Sequence, residues 1–229
     1  MRIRKLAGGE ECRIMQSFQE DFLNFVIEHD ILRFGQFTLK SGRQSPYFFN
    51  AGLFNSGEKL SFLAQSYAAA IVHSGQEFDV LFGPAYKGIP LVSATAMVLA
   101  SNYGINKPFC FNRKETKDHG EHGLIVGAEL TGNVMIIDDV ITAGTAIQEV
   151  SDIIVANGAI LVGITVAMDR QERGTGSLSA IHEIEQNHQI KVTSIIDLQD
   201  IVDHLQKGKG NERRQQVDAV LAYRKEYGI

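Results

Sequence analysis

No apolar run of about 18 residues occurs in this 229-residue chain, so nothing in it reads as a membrane span, and no signal-peptide core is present. Cysteine is scarce. Cys12 and Cys110 are the only two, too few for a disulfide framework and without the spacing of a metal site. They read as unpaired thiols in a reducing compartment, and the expected localisation is cytoplasmic. Positive charge is also short: 22 Lys and Arg stand against 27 Asp and Glu, a net charge of −5. Proteins whose main partner is nucleic acid usually carry a basic surplus instead. There is no internal repeat, no low-complexity segment and no Walker motif. What is present, 44% hydrophobic and 21% charged residues, is near the average for a globular protein. The length fits one α/β domain with some elaboration.

Met1 to Met15 carries Arg2, Arg4, Lys5 and two glycines with little periodicity, and residues 1–14 read as a loose, disordered extension. From Ser17 the residues Phe18, Phe22, Phe25 and Val26 recur at helical steps, with Ser17 and Glu20 as a capping box. Extended runs at 36–39 and 46–50 flank the turn Lys40-Ser41-Gly42-Arg43, and Ser56 opens a second helix. An alternation follows. Strands are expected at 79–82, 108–111, 133–137, 160–168 and 191–196, and helices at about 88–102, 145–157 and 179–187. Two helices close the chain, at 198–206 and 212–227, and residues 112–123 read as a polar loop.

Runs such as VMII and LVGITVAM lack two-residue alternation, as do strands covered by helices on both faces. The expected fold is therefore doubly wound α/β, a central, mostly parallel sheet flanked by helices. A single domain would span 15–229, with 15–77 as an N-terminal hood and 78–229 as the core and C-terminal elements. Ligands of such sheets sit beyond the carboxyl ends of the strands. That rule selects 83–88, 138–145 and 169–176.

The segment Val134–Ala146, VMIIDDVITAGTA, carries the most chemistry. An apolar strand ends in two adjacent carboxylates, Asp138 and Asp139. A loop of small and hydroxyl residues then opens a helix, where Thr142, Ala143, Gly144 and Thr145 can present N–H groups and hydroxyls to an anion. The carboxylates would repel that anion, so they suit sugar hydroxyls, or a magnesium shell through water. Together these features read as a sugar-phosphate site.

This stretch resembles the phosphoribosyl-diphosphate motif of the type I phosphoribosyltransferases. Four further segments occur in the right order: Phe37–Phe54 (FTLKSGRQSPYFFNAGLF), Phe82–Pro90 (FGPAYKGIP), Phe111–Gly123 (FNRKETKDHGEHG) and Met168–Ile181 (MDRQERGTGSLSAI). They narrow the resemblance to the orotate phosphoribosyltransferase family, over about Met15 to Ile229. The resemblance implies a type I phosphoribosyltransferase fold with an N-terminal hood. The implied reaction transfers the 5-phosphoribosyl group from phosphoribosyl diphosphate to orotate, giving orotidine 5'-monophosphate and diphosphate in de novo pyrimidine synthesis. Magnesium is the implied cofactor, held by the diphosphosugar and water rather than by protein ligands. The resemblance assigns Lys40, Tyr86, Lys87, Arg113, Lys114, Lys117 and His119 to the diphosphosugar. It adds the run Asp138, Asp139, Val140, Ile141, Thr142, Ala143, Gly144, Thr145 and Ala146. It assigns Phe48, Phe49, Thr142 and Arg170 to orotate, and implies a homodimer in which Lys40 and Lys114 reach the partner's ligand.

The residues themselves are compatible with those roles. Gly83–Gly88 is a strand-to-helix turn that can aim amides and the Lys87 ammonium at a diphosphate. Residues 112–123 hold Arg113, Lys114, Lys117 and His119, and the flexible Gly120 and Gly123, as a lid over a departing diphosphate would. His119, Glu121 and His122 on such a loop make a poor rigid metal cage. Phe48 and Phe49 are strand neighbours that point to opposite faces, so they cannot both fill one core. The Arg170 guanidinium suits the orotate carboxylate. Gly174-Thr175-Gly176 is half a dinucleotide fingerprint, but Ser179 stands at the expected final glycine, which argues against a nicotinamide site.

Orotate supplies the nucleophile, so the expected catalytic residues are charge stabilisers. Lys87, Lys117 and His119 would act on the leaving diphosphate, and Asp138 and Asp139 on the ribose. Two alternatives share the Asp-Asp motif. One is a phosphoribosyltransferase for another base, which would lack the Arg170 carboxylate clamp. The other is a non-catalytic regulator that binds the diphosphosugar, which would need a nucleic-acid surface this acidic chain does not offer.

Overall fold

Consecutive apolar residues form strands that must be covered on both sides, and the central sheet is built this way. The computed structural model describes residues 3–5, 11–13, 15–39, 41–117, 123–141, 145–174, 176 and 178–229, the side chains of 3–5, 11–13, 115–117 and 145 excepted. β1 (Ile3–Lys5) and β2 (Glu11–Arg13) pair antiparallel with each other, within the segment that the sequence reads as an irregular arm. α1 (Ser17–Glu28) is capped one residue earlier than the pattern suggests. Gln16 is its N-cap and donates its N–H to Gln19 Oε1 at 3.0 Å, because Ser17 is already inside the first turn.

β3 (Leu32–Thr38) and β4 (Gln44–Phe49) form an antiparallel hairpin, longer than the two short runs expected and bulged between Phe34 and Phe37. A 3-10 turn at Ala51–Leu53 leads to α2 (Gly57–Ser74). The Ser56 hydroxyl accepts from Lys59 N–H to cap α2, and Gly75, at φ +65°, ends it.

The alternating part follows as β5 (Val80–Gly83), α3 (Gly88–Tyr103), β6 (Phe109–Lys117), β7 (Gly123–Gly127), β8 (Asn133–Asp138), α4 (Thr145–Ala156), β9 (Ile160–Asp169), α5 (Ala180–His188), β10 (Lys191–Asp197), α6 (Leu198–Lys207) and α7 (Asn211–Tyr227). The central sheet runs β10-β9-β8-β5-β6-β7, parallel except for the antiparallel edge strand β7. This is the α/β fold with a mostly parallel sheet that the pattern predicts.

One segment differs. The arms of the expected polar loop 112–123 are strand, since β6 continues to Lys117 and pairs there with Gly123. Backbone pairing at a sheet edge holds them, so no apolar alternation marks them in the sequence.

Neighbouring residues on each strand join different cores. Val80, Phe82, Val134 and Ile136 pack with α4 and α5, whereas Leu81, Met135 and Ile137 pack with the helices on the other face. The winding reverses at β5, with β6 on one side and β8 on the other. The loops after β5 and β8 therefore flank one crevice at the carboxyl edge, where an open α/β sheet binds its ligand.

Candidate active site

β8 delivers Asp138 and Asp139 to that crevice. The Tyr67 hydroxyl, fully buried in α2, donates to the Asp138 carbonyl at 2.6 Å, and Ala167 N–H donates to the Asp139 carbonyl at 2.8 Å. The end of β8 is thus held from both sides. Burial pushes the Tyr67 hydroxyl well above its ordinary value, and the charges of Asp139 and Asp138 add to the rise. Asp138 is pushed up to about 6, first by burial and then by the Asp139 charge beside it. The Asp139 N–H, which donates to Asp138 Oδ1 at 2.8 Å, and the Lys87 ammonium oppose the rise.

The loop after β5 meets these carboxylates across the crevice. Lys87 Nζ lies 2.5 Å from Asp139 Oδ2, an ion pair that spans the switch point. Gly83 and Gly88 make the tight turn possible. A Cβ on Gly83 would collide with the Gly88 carbonyl oxygen, and one on Gly88 would lie 2.6 Å from Gly83 C. Asn112 Oδ1 of β6 accepts the Ala85 N–H at 2.9 Å and anchors the turn from its other flank.

Arg170 follows β9. Its Nε and Nη2 both donate to Glu172 Oε1, at 2.7 and 2.6 Å, and its guanidinium stacks on the Tyr47 ring at 4.6 Å. Burial works against the guanidinium charge, but Tyr47 and Glu172 outweigh it and hold Arg170 above its ordinary value. Arg170, Lys87, Asp139, Phe48 and Phe49 line one pocket of about 630 Å³, within the range of small-molecule sites. A groove of similar size, about 660 Å³, lies between the β3–β4 hairpin and α7, away from the strand ends.

Other expected residues distribute as follows. Phe49 is buried beside Phe22 and Phe54, while Phe48 stacks on Phe37 at 5.6 Å, so the two strand neighbours do face apart. Val140 and Ile141 also line the pocket, Thr145 opens α4, and Ala146 is exposed on it. Tyr86 is 68% exposed, and Lys114 Nζ sits 5.5 Å above its ring. Arg113 Nη1 donates to the Gly123 carbonyl at 3.4 Å. Lys117 contributes its backbone to β6. Lys40, His119, Thr142, Ala143 and Gly144 lie outside the described residues. Among the described residues no group of three or more His, Cys, Asp or Glu is placed to hold a metal ion, and no helix is long and apolar enough to cross a membrane.

Sequence reasoning missed Tyr67, Asn112, Tyr47, Tyr223 and Glu172. For Glu172 the one local signal was its place two residues after Arg170. For the rest there was none, since Tyr47 and Tyr223 meet Glu172 across 125 and 51 residues.

Chemically, the crevice offers the exposed Lys87 ammonium, the Asp138 and Asp139 carboxylates on a fixed strand end and the buried Arg170 guanidinium, with Lys87, Asp139 and Arg170 lining one pocket. Such a set suits an anionic sugar and a planar acid. Comparison with known proteins agrees. A model of the phosphoribosyl transferase domain matches residues 54–194. The orotate phosphoribosyltransferase of Aliivibrio fischeri (strain MJ11) is 56% identical over 215 residues, covering 94% of this chain and all of that protein. That of Escherichia coli (strain K12 / DH10B) is 54% identical over the same shares. The crystal structure of orotate phosphoribosyltransferase from Francisella tularensis superposes with a TM-score of 0.84 at 42% identity, over 91% of this chain and 100% of that one.

Proposed function

The chain belongs to the phosphoribosyl transferase family, with its orotate phosphoribosyltransferases as relatives over nearly the whole length, and on that premise we propose how its residues carry the reaction. The enzyme transfers the 5-phosphoribosyl group from phosphoribosyl diphosphate to orotate, forming orotidine 5'-monophosphate and diphosphate in pyrimidine synthesis. N1 of orotate attacks C1 of the ribose as the C1–O bond to diphosphate breaks. Positive charge develops on the ring and negative charge on the leaving group.

Lys87 leaves Asp139 to receive the diphosphate, and Asp138 and Asp139 take the ribose hydroxyls and favour the cationic ring. Arg170 receives the orotate carboxylate in the pocket walled by Phe48 and Phe49, with Thr142 as a second contact to the base. The amides and hydroxyls of 140–146 hold the 5-phosphate at the N-terminus of α4. Arg113, Lys117 and His119 close over the diphosphate from the β6–β7 hairpin. Magnesium, when bound, would supply charge neutralisation on the diphosphate. The oxygen donors of the site fit it, with Asp138 and Asp139 available to its water shell.

We assign the working unit as a homodimer in which Lys40 and Lys114 reach the partner's ligand, and the compartment as the cytoplasm. A mixture of the Lys114→Ala and Asp138→Asn variants should then recover activity that neither has alone.

The observation that carries this reading is the Lys87–Asp139 pair across the switch point, in the pocket that also contains Arg170. The test is the loss of orotate absorbance on adding phosphoribosyl diphosphate and magnesium. Turnover only with another base would overturn the acceptor assignment, and binding without turnover would overturn the enzyme. The Lys117→Ala variant should lose kcat by about 10²-fold while KM changes little. Unchanged kcat would remove the hairpin from catalysis.

A further inference from the structure

We propose that Glu172 is a positioning residue for the acceptor base, fixing the orientation of Arg170 and tying it to the C-terminal helix. The proposal rests on the reading that Arg170 receives the orotate carboxylate.

Glu172 Oε1 occupies the Nε–Nη2 edge of the guanidinium, and the Tyr47 ring fixes its plane. Nη2 also reaches the Ser45 hydroxyl at 3.5 Å, which leaves Nη1 as the guanidinium nitrogen with no hydrogen bond among the described residues. A ligand carboxylate is thereby directed to the terminal edge of the fork. Glu172 is itself over-determined. Its Oε1 also accepts from the Tyr223 hydroxyl at 2.9 Å and the Tyr47 hydroxyl at 3.4 Å, and its Oε2 accepts from Arg43 Nη1 at 3.3 Å. Four side chains from the β9 loop, the hairpin and α7 thus bring five donor contacts to one carboxylate, more than its roughly four lone-pair sites.

The backbone reinforces the brace. Arg173 N–H donates to the Tyr227 carbonyl at 2.8 Å, Ile229 N–H to the Gln171 carbonyl at 3.2 Å, and Arg173 Nε to the Gly228 carbonyl at 3.0 Å. The end of the chain therefore straps the loop that carries Arg170. Without Glu172, Arg170 would regain rotamer freedom that orotate binding must remove. The diphosphosugar residues Lys87, Asp138 and Asp139 make no hydrogen bond or ion pair with this carboxylate, so the effect should be confined to the acceptor.

The experiment measures both Michaelis constants in Arg170→Ala, Glu172→Ala, Tyr223→Phe and the Arg170→Ala/Glu172→Ala double variant of the full chain. Glu172→Ala should raise KM for orotate about tenfold or more, with KM for phosphoribosyl diphosphate within about twofold. Tyr223→Phe, which deletes one hydroxyl and carries the test if Glu172→Ala does not fold, should raise KM for orotate about two- to fivefold. In the Arg170→Ala background, Glu172→Ala should add less than about twofold, because its effect passes through Arg170. The proposal is overturned if both constants move together, if neither moves, or if the double variant is additive. An Arg170→Ala enzyme with unchanged KM for orotate would instead sink the assignment of Arg170 itself.

Discussion

Replacing Asp138 by Asn should stabilise the protein and disable it at once. Burial and the Asp139 charge push the Asp138 carboxyl from its ordinary 3.8 to about 6. At about 1.4 kcal/mol per pH unit, its ionisation costs the folded state about 3 kcal/mol relative to the unfolded chain. A carboxyl with a higher pKa in the folded state binds its proton more readily there. Its contribution is therefore fully present below about pH 4 and is lost as pH rises through 6. Asn carries no charge and keeps an Oδ1 acceptor for the Asp139 N–H. The variant should thus gain about 3 kcal/mol at pH 7 to 8, or about 6–12 °C in Tm for a domain of this size. Below about pH 4 the gain should vanish. Catalysis should fall at least ~10²-fold if the carboxylate has its proposed place against the cationic ribose. Thermal melts of both proteins from pH 4 to 8, with kcat/KM at pH 8, decide the matter. A variant no more stable than the parent at pH 7, or a gain that ignores pH, would refute the argument.

Three further changes probe other parts of the same machinery. Lys87→Ala removes the partner of Asp139 and the proposed diphosphate contact, and should raise KM for phosphoribosyl diphosphate by about 10- to 100-fold, measured by initial rates at saturating orotate. Gly83→Ala places a methyl group 2.5 Å from Val92 Cγ1 and against the Gly88 carbonyl, and should cost about 1–3 kcal/mol or more in a denaturant melt. Burial pushes the Cys110 thiol up to about 12, so an alkylating reagent at pH 8 should leave it unmodified in the folded protein and label it in denaturant, as read by peptide mass spectrometry.

The parts of the fold that were legible in the sequence are those whose physics is local. Consecutive apolar residues in VMII marked a strand covered on both faces, and the carboxylates ending it marked the ligand edge. Gly158, at positive φ, lies just beyond the helix it stops. What stayed hidden depended on partners far along the chain. Tyr67 looks like any core aromatic until its hydroxyl is found on the Asp138 carbonyl, 71 residues away. β7 was missed because Gly123–Gly127 is an edge strand recruited by backbone pairing, with neither alternation nor full burial to announce it. Arg170 was legible as a cation beyond a strand, but not the hub that holds it. Glu172 acquires its role only when the hairpin and the C-terminal helix close on it.

The two cations assigned to the substrates are both paired with carboxylates in the structure, and the pairs differ in what they permit. The Lys87 side chain is 66% exposed, whereas Arg170 and Glu172 are 13% and 14% exposed. The Lys87 ammonium stays in water as it changes anion, but Asp139, with a side chain only 10% exposed, would be left buried and unpaired unless the ribose hydroxyls take it up. Moving Lys87 onto a diphosphate then releases Asp139 for the ribose in the same step. Arg170 has no such freedom. Parting it from Glu172 would leave the buried guanidinium without its carboxylate, a penalty larger than a new ion pair with the ligand would offset. In its proposed role it would accept orotate with Glu172 still attached, through the remaining edge of the guanidinium. With the proposed assignments, the diphosphosugar half of the site would exchange partners and the acceptor half stay fixed. That division suits a reaction in which the ribose carbon changes partners while the attacking base is held still.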